Sequence, residues 1–201
     1  MSYELYGENS SHPKIVTQLQ AIGNLCRKEG DMIGARKNIQ KAIKIHRGLG
    51  HTDSNPEMAT LIHNLGTVMQ QEGDTEGAKK QFETSLKMFE DVHGEDVAKN
   101  HPHIAILKHN LGRVYQSSGD LTAAREHLES SLEISKKVYG DGAKHPEIGN
   151  TLLGLEELDR KMGRITEAEY RKKAAKKILD VMFKERRGTC IRVLFFLSLT
   201  L

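Results

Sequence analysis

The sequence contains ten histidines. Their imidazole side chains could do chemistry, because imidazole both transfers protons and binds metal ions. His101 and His103 stand two residues apart at the start of a predicted helix. No cysteine or further histidine has a spacing that would complete a metal site with them, and the sequence lacks an HExxH motif. We therefore predict no metal ion, and we expect these histidines to serve turns and helix caps.

Glycine-rich loops and nucleophile motifs lead to the same conclusion. Gly48-Leu49-Gly50 has neither the preceding strand nor the third glycine of a dinucleotide-binding loop, and the sequence contains no Gly-Lys-Ser/Thr loop for phosphate. Signatures of serine and cysteine nucleophiles are absent as well. The sequence therefore predicts a protein that is not an enzyme, with no catalytic residues and no cofactor.

A fixed spacing of proline, glycine and alanine organises the whole chain. Each of the four prolines is followed 17 residues later by a glycine, and each of these glycines is followed five residues later by an alanine. The prolines stand 43, 46 and 44 residues apart, a period typical of stacked structural repeats. The four sets are Pro13, Gly30 and Ala35; Pro56, Gly73 and Ala78; Pro102, Gly119 and Ala124; and Pro146, Gly163 and Ala168.

Each repeat predicts two helices. Proline suits the first helical turn, and apolar residues then recur at helical spacing. Gly30, Gly73 and Gly119 end the first helix, because glycine tolerates a left-handed cap, and the aspartate after each of them can cap a second helix. Small residues such as Ala78 and Ala124 allow two helices to approach closely. The predicted fold is all-α, an α-solenoid of stacked antiparallel helix pairs.

The order of Leu-Gly, an aromatic residue, Gly-Asp, Ala, Phe or Leu, and Ala or Ser resembles the tetratricopeptide repeat. The best matches are the segments from His63 to Val68 and from His109 to Tyr115. These repeats exceed the usual period of about 34 residues and are similar to the long-period repeats of kinesin light chains. The resemblance covers about residues 3–185 and implies a right-handed superhelix that binds proteins.

The spacing also sets the domain boundaries. Tyr6-Gly7 before Pro13 parallels Tyr139-Gly140 before Pro146, so the chain is expected to begin inside a repeat and to be a fragment of a longer array or a chain assigned its start inside one. We assign residues 1–12 to the end of a preceding partial repeat, 13–55, 56–101, 102–145 and 146–187 to repeats one to four, and 188–201 to an apolar tail outside the repeats.

Repeat four departs from the pattern of the others. Glu156, Asp159, Arg164 and Lys172 replace a glycine, a Tyr or Met, an aspartate and a Phe or Leu, respectively. A terminal repeat has no following neighbour, so a polar outer face favours solubility. We favour this capping interpretation over a degenerate repeat or a disturbed sequence end.

The charge distribution sets the C-terminal part of the chain apart. Residues 160–201 hold 12 basic and 4 acidic side chains, whereas residues 1–159 hold 18 and 23. The apolar segment Ile191–Leu201 is shorter than the roughly 20 residues that span a bilayer. It is either a lipid-touching tail beside a basic cluster or a sequence end without selected structure, which is the interpretation we favour.

Two further features of the sequence indicate the cellular compartment of the protein. Cys26 and Cys190 form no pattern of a disulfide framework, and the N-terminus has no signal-peptide pattern. We therefore expect a cytoplasmic protein.

The surface of the first helices is the remaining candidate for function. Stacked helix pairs expose these helices on a concave side that binds extended ligands. Asn64 and Asn110 recur at one position, and their amides can donate to and accept from a peptide backbone; the alternative is that they pack against a neighbouring helix. The predicted groove consists of Gln20, Asn24, Arg27, His63, Asn64, Thr67, Gln70, His109, Asn110, Arg113 and Gln116.

The sequence thus predicts a scaffold or adaptor that binds an extended segment of a partner protein. Two alternatives stay open: a regulatory or sensor module from a larger signalling NTPase or enzyme, and a kinesin-light-chain-like cargo adaptor or membrane-associated adaptor. The heptad segment through which a light chain joins its motor is missing. Specific nucleic-acid binding is not expected, because the basic residues lack interleaved aromatic residues.

Overall fold

The computed structural model describes residues 13–50, 55–98 and 100–198, and their side chains except in 95–98 and 182–198. These ranges contain helices and no strand, so the predicted all-α class is confirmed. The partial repeat predicted at 1–12 lies outside the described residues. The helices are α1 (Pro13–Glu29), α2 (Met32–Gly48), α3 (Pro56–Gln71), α4 (Thr75–Ala98), α5 (Pro102–Ser118), α6 (Leu121–Tyr139), α7 (Pro146–Lys161) and α8 (Ile165–Ser198).

The turns between paired helices have the predicted construction. Gly30, Gly73 and Gly119 have φ values of 86°, 85° and 88°, a left-handed conformation that favours glycine. The aspartate after each glycine then caps the second helix: Asp31 accepts a hydrogen bond from the backbone N–H of Gly34 at 2.8 Å. Asp74 and Asp120 do the same for Gly77 and Ala123.

The cap function expected of His101 is confirmed, and His145 has the same role; the described contacts show no cap made by the side chain of His103. His101 and His145 are the N-cap residues of α5 and α7. The Nδ1 atom of His101 accepts a hydrogen bond from the backbone N–H of His103 at 3.2 Å, and that of His145 accepts one from Glu147 at 3.3 Å. An N-cap acceptor satisfies an N–H group that has no partner inside the helix.

The chain divides into two compact units, Met1–Lys99 and Asn100–Leu201, called unit one and unit two below. In unit one, α1 to α4 pack each on the next, and α1 also contacts α3. In unit two, α5 to α8 pack each on the next, and α5 also contacts α7. Each unit therefore consists of two stacked helix pairs.

A close contact joins the two helices of a pair. A Cβ atom added at Gly66 would lie 2.8 Å from Cε1 of Phe82, and one added at Gly112 would lie 2.6 Å from Cγ of Leu128. The small residue at the corresponding place in the second helix is fully buried, as in Ala78 and Ala124. Glycine on one helix and alanine on the other thus allow the approach that the spacing predicts.

Asp159 corrects one expectation for repeat four. Its carboxylate is not part of a polar outer face, because the side chain is 1% exposed. Arg125 of α6 donates a hydrogen bond to Asp159 Oδ1 at 2.5 Å, and the Nε atom of Arg171 of α8 lies 2.8 Å from Oδ2. The second contact is an ion pair without hydrogen-bond geometry. Asp159 therefore links three helices inside unit two, whereas Arg164 and Lys172 are exposed as expected.

Gly112→Val should destabilise unit two by about 2 kcal/mol, because the added methyl groups overlap Leu128 in a packed interior. The matched control is Gly142→Val, since nothing lies within 4 Å of a Cβ at Gly142. The measurement is the free energy of unfolding in urea. Equal stability of the two variants would show that the α5–α6 pair is not held at this contact.

Candidate functional site

The predicted groove residues lie on the first helices of repeats one to three. Seven of them lie in unit one, on α1 and α3, and these two helices contact one another. The other four, His109, Asn110, Arg113 and Gln116, lie on α5 in unit two. The unit-one surface is defined by Gln20, Asn24 and Arg27 of α1 and by His63, Asn64, Thr67 and Gln70 of α3.

All seven side chains of the unit-one surface are half-buried. Two of them have a buried polar atom without a hydrogen-bond partner in the described part of the chain, the Oδ1 atom of Asn24 and the Nδ2 atom of Asn64. Buried polar groups in proteins are nearly always hydrogen-bonded, and leaving one unpaired costs about 1–3 kcal/mol. These two atoms are therefore candidates for bonds to a ligand, which requires each half-buried side chain to turn its amide toward the ligand.

The neighbours of Asn64 on α3 are engaged within the protein. The imidazole ring of His63 lies 5.7 Å from the ring of Phe82, measured between centroids. The hydroxyl of Thr67 donates to the backbone carbonyl of His63 at 3.1 Å. These contacts fix both side chains beside Asn64, and Thr67 Oγ1 keeps only its acceptor capacity for a ligand.

In unit two, His109 belongs to a chain of hydrogen bonds that joins three helices. Its Nδ1 atom lies 3.2 Å from Thr151 Oγ1 on α7, which lies 3.3 Å from Ser131 Oγ on α6. Ser131 in turn donates to the carbonyl of Ala105 on α5 at 2.7 Å. Burial, with a smaller contribution from the charge of Arg113, lowers the pKa of His109 to about 4. The imidazole is therefore neutral at neutral pH.

The remaining predicted residues of α5 differ in exposure. Arg113 is exposed and Asn110 is half-buried. Gln116 is 5% exposed, so its side chain lies in the packed interior and not on an open surface as the sequence predicts. Successive residues of a helix are rotated by about 100° around its axis. Gln116 therefore lies next to the helix face that carries the buried residues Ala105 and Gly112.

Sequence reasoning did not identify Thr151 as part of this polar chain. The sequence contains a signal for it, because Thr151 stands five positions past its proline. The residues at that position in α3 and α5 are Leu61 and Leu107, which are both fully buried. A threonine at a buried leucine position needs a hydrogen-bond partner for its hydroxyl. His109 and Ser131 provide it.

Metal-ligand clusters and membrane-spanning helices are both absent from the described residues. Among the residues that the structure describes, no group of three or more His, Cys, Asp or Glu side chains is placed to hold a metal ion. Within those same residues, every helix is too short or too polar to cross a membrane.

The comparisons with known proteins agree with the geometry. The model of a tetratricopeptide repeat family matches residues 15–91 and 103–180. The comparison with curated proteins found no significant match.

Similar solved structures include BtubC (BKLC) from P. vanneervenii, with a TM-score of 0.70 and 24% identity over 85% of this chain and 66% of that one. A putative kinesin light chain with nearly identical TPR-like repeats from Podosopora anserina has a TM-score of 0.66 and 17% identity over 91% and 83%. The apo form of RapI has a TM-score of 0.73 and 17% identity over 96% and 66%. At these identities the likeness shows the fold, and this chain spans 66% of the length of BtubC and of RapI.

Acid should destabilise unit two through His109. Its pKa is about 4 in the folded protein and 6.5 in an unfolded chain, so the unfolded state binds the proton first as the pH falls. Stability that is present above about pH 6.5 is then lost on going down to about pH 4, by at most about 3 kcal/mol.

The measurement is the urea midpoint of unfolding as a function of pH for the wild type and for His109→Gln, which keeps a polar partner for Thr151 without a titrating group. The two curves should diverge below about pH 6.5, with the wild type falling more steeply. Parallel curves would contradict the burial of His109 as a neutral imidazole.

Proposed function

The chain belongs to the tetratricopeptide-repeat family, and we propose that it acts as an adaptor whose unit-one surface binds an extended peptide segment of a partner protein. The family fold is generally a non-catalytic scaffold for protein interaction. The site is the set of half-buried polar side chains on α1 and α3. The observation that supports it best is that two buried amide atoms, Asn24 Oδ1 and Asn64 Nδ2, have no hydrogen-bond partner in the part of the chain that the structure describes.

An extended peptide can supply the hydrogen-bond partners that these two amide atoms lack among the described residues. Its backbone presents N–H and C=O groups at every residue, about 3.3 Å apart along the chain. Asn24 Oδ1 is an acceptor for a backbone N–H, and Asn64 Nδ2 is a donor to a backbone C=O. A site that recognises the peptide main chain can bind a range of sequences. This property suits an adaptor that binds segments in an extended conformation.

The charge of the unit-one surface indicates the kind of segment. Arg27 is the one cation among its seven residues, and none of the seven is acidic. A single guanidinium can fix the register of a peptide by pairing with one carboxylate, whereas a cluster of basic residues would require a strongly acidic ligand. We therefore propose a largely uncharged segment with one acidic side chain near Arg27.

A cargo-adaptor role is a narrower form of the same proposal, since a cargo motif would be such a segment. The resemblance of the repeats to those of kinesin light chains motivates it. We place this role in the cytoplasm, because the two cysteines, Cys26 and Cys190, do not form the pattern of a disulfide framework that is typical of secreted proteins.

The test begins with a displayed library of unstructured decapeptides, from which segments that bind the full chain are selected. Dissociation constants are then measured by fluorescence anisotropy. Asn24→Ala combined with Asn64→Ala should weaken binding at least about 10-fold, because two hydrogen bonds of about 0.5–1.5 kcal/mol each are lost. Adding Asn110→Ala tests whether the matching position of α5 contributes.

The double variant should keep its helicity and should be at least as stable to unfolding as the wild type, because it removes two buried amide atoms that have no hydrogen-bond partner among the described residues. Asn150→Ala is the matched control, since Asn150 is an exposed asparagine on α7 and its loss should leave affinity unchanged. Selected peptides that bind the double variant as tightly as the wild type would refute the proposed site.

A further inference from the structure

Helix α2 carries charges of one sign only. It contains five basic residues and no aspartate or glutamate, whereas the other second helices, α4, α6 and α8, each carry both signs. Arg36 of α2 pairs with Glu72 of α3. The other four are exposed, and they are Lys37, Lys41, Lys44 and Arg47.

These four exposed cations form one face of α2, called the basic face below. They follow one another at intervals of four, three and three residues, and such positions share one side of a helix. From Lys37 to Arg47 the basic face extends about 15 Å, because a helix rises by about 1.5 Å per residue. It is therefore a stripe along the helix and not a single point charge.

A groove of about 400 Å³ borders the basic face. It is lined by residues of α2, α3 and α4 and is called the α2–α4 groove below. Lys44 and Arg47 of the basic face line it, together with the amide side chains of Gln40 and Gln81. None of the described residues that line it is acidic, and α1, on which a preceding repeat would stack, contributes no residue to it.

The other residues of the α2–α4 groove are aliphatic and recessed. Ile43 of α2 and Ile62 and Leu65 of α3 line it, and they are 7%, 7% and 9% exposed. A surface that enters a lipid bilayer needs apolar side chains that protrude from it. Recessed side chains instead favour a ligand that inserts an apolar group of its own.

The corresponding groove of unit two, lined by residues of α6, α7 and α8, contains both cations and anions. Lys136, at the repeat position of Arg47, lies 3.1 Å from Asp141. Arg171 lies 2.8 Å from Asp159. The cations of that groove are thus paired within the protein, so a lining with cations and no anions is particular to the α2–α4 groove.

We propose that the α2–α4 groove docks an acidic, extended segment of a partner protein that carries one aliphatic side chain between carboxylates. The aliphatic side chain enters the groove and packs on Ile62 and Leu65. The carboxylates on either side pair with the basic face, and the amides of Gln40 and Gln81 donate to and accept from the main chain. The length of the basic face matches about five extended residues at about 3.3 Å each.

The residue types of the α2–α4 groove and the basic face favour a protein over a nucleic acid. Single strands are bound by aromatic side chains on which their bases stack, and none of the residues of the groove or the basic face is Phe, Tyr or Trp. The site also differs from the unit-one surface, which lies on α1 and α3 and has one cation among its seven residues.

The probe is a synthetic peptide in which one leucine stands between two pairs of glutamates, with a fluorescent label at its N-terminus. Its binding to the full 201-residue chain is measured by fluorescence anisotropy, and raising the salt concentration should weaken it. One control peptide has glutamine in place of every glutamate, and another has serine in place of the leucine. Each should bind at least about 10-fold more weakly, because it lacks the carboxylates or the apolar contact.

Removal of charge from the protein locates the peptide. Lys44→Gln combined with Arg47→Gln should weaken binding at least about 10-fold, because both side chains line the α2–α4 groove. Lys173→Gln combined with Lys177→Gln is the matched control, since it removes the same charge from exposed positions of α8. The control should leave the affinity unchanged.

Asn24→Ala combined with Asn64→Ala tests whether the two binding sites are separate. This variant should bind the acidic peptide as tightly as the wild type does. Weaker binding would place the peptide on the unit-one surface and overturn the proposal.

Four further results would overturn it. The first is the absence of binding at about 1 mM peptide, the weakest affinity of interest. The second is equal binding by the wild type and the Lys44→Gln, Arg47→Gln variant, with circular dichroism showing that both are folded. The third is equal binding of either control peptide. The fourth is reversible self-association of the wild type in sedimentation that the same variant abolishes, because a second copy would then occupy the groove.

Discussion

In the first three helix pairs, the structure depends on the contact between a glycine of the first helix and an apolar side chain of the second helix. At Gly66 and Gly112 there is no room for a Cβ atom beside Phe82 and Leu128. Because interiors are packed to crystal-like density, this approach fixes which face of each first helix is buried. The polar side chains proposed to bind a peptide lie at other positions of α1 and α3 and are half-buried.

The proposed peptide site uses the polar side chains of α1 and α3. Two buried amide atoms there, Asn24 Oδ1 and Asn64 Nδ2, have no hydrogen-bond partner among the described residues. Buried polar atoms are generally paired, and departures from such rules tend to occur at functional sites.

The sequence predicted the helices, the turns and the close contacts, because each depends on residues near one another in the chain. The cap at Asp31 needs only Gly34, and the left-handed turn needs only Gly30. Asp159 was misplaced because its partners, Arg125 and Arg171, come from two other helices. Gln116 was misplaced because it lies where the polar and buried faces meet, and tertiary packing decides such an edge position.

Asn24 and Asn64 are proposed to bind a peptide main chain through amide atoms that have no hydrogen-bond partner among the described residues. The most direct measurement is the nuclear magnetic resonance spectrum of the asparagine side-chain amides during titration with a selected peptide. The side-chain N–H signals of Asn64 should shift downfield as a hydrogen bond forms, and those of Asn24 should shift with them, while the exposed Asn150 stays unchanged. Saturating binding that leaves the Asn24 and Asn64 signals in place would contradict the account.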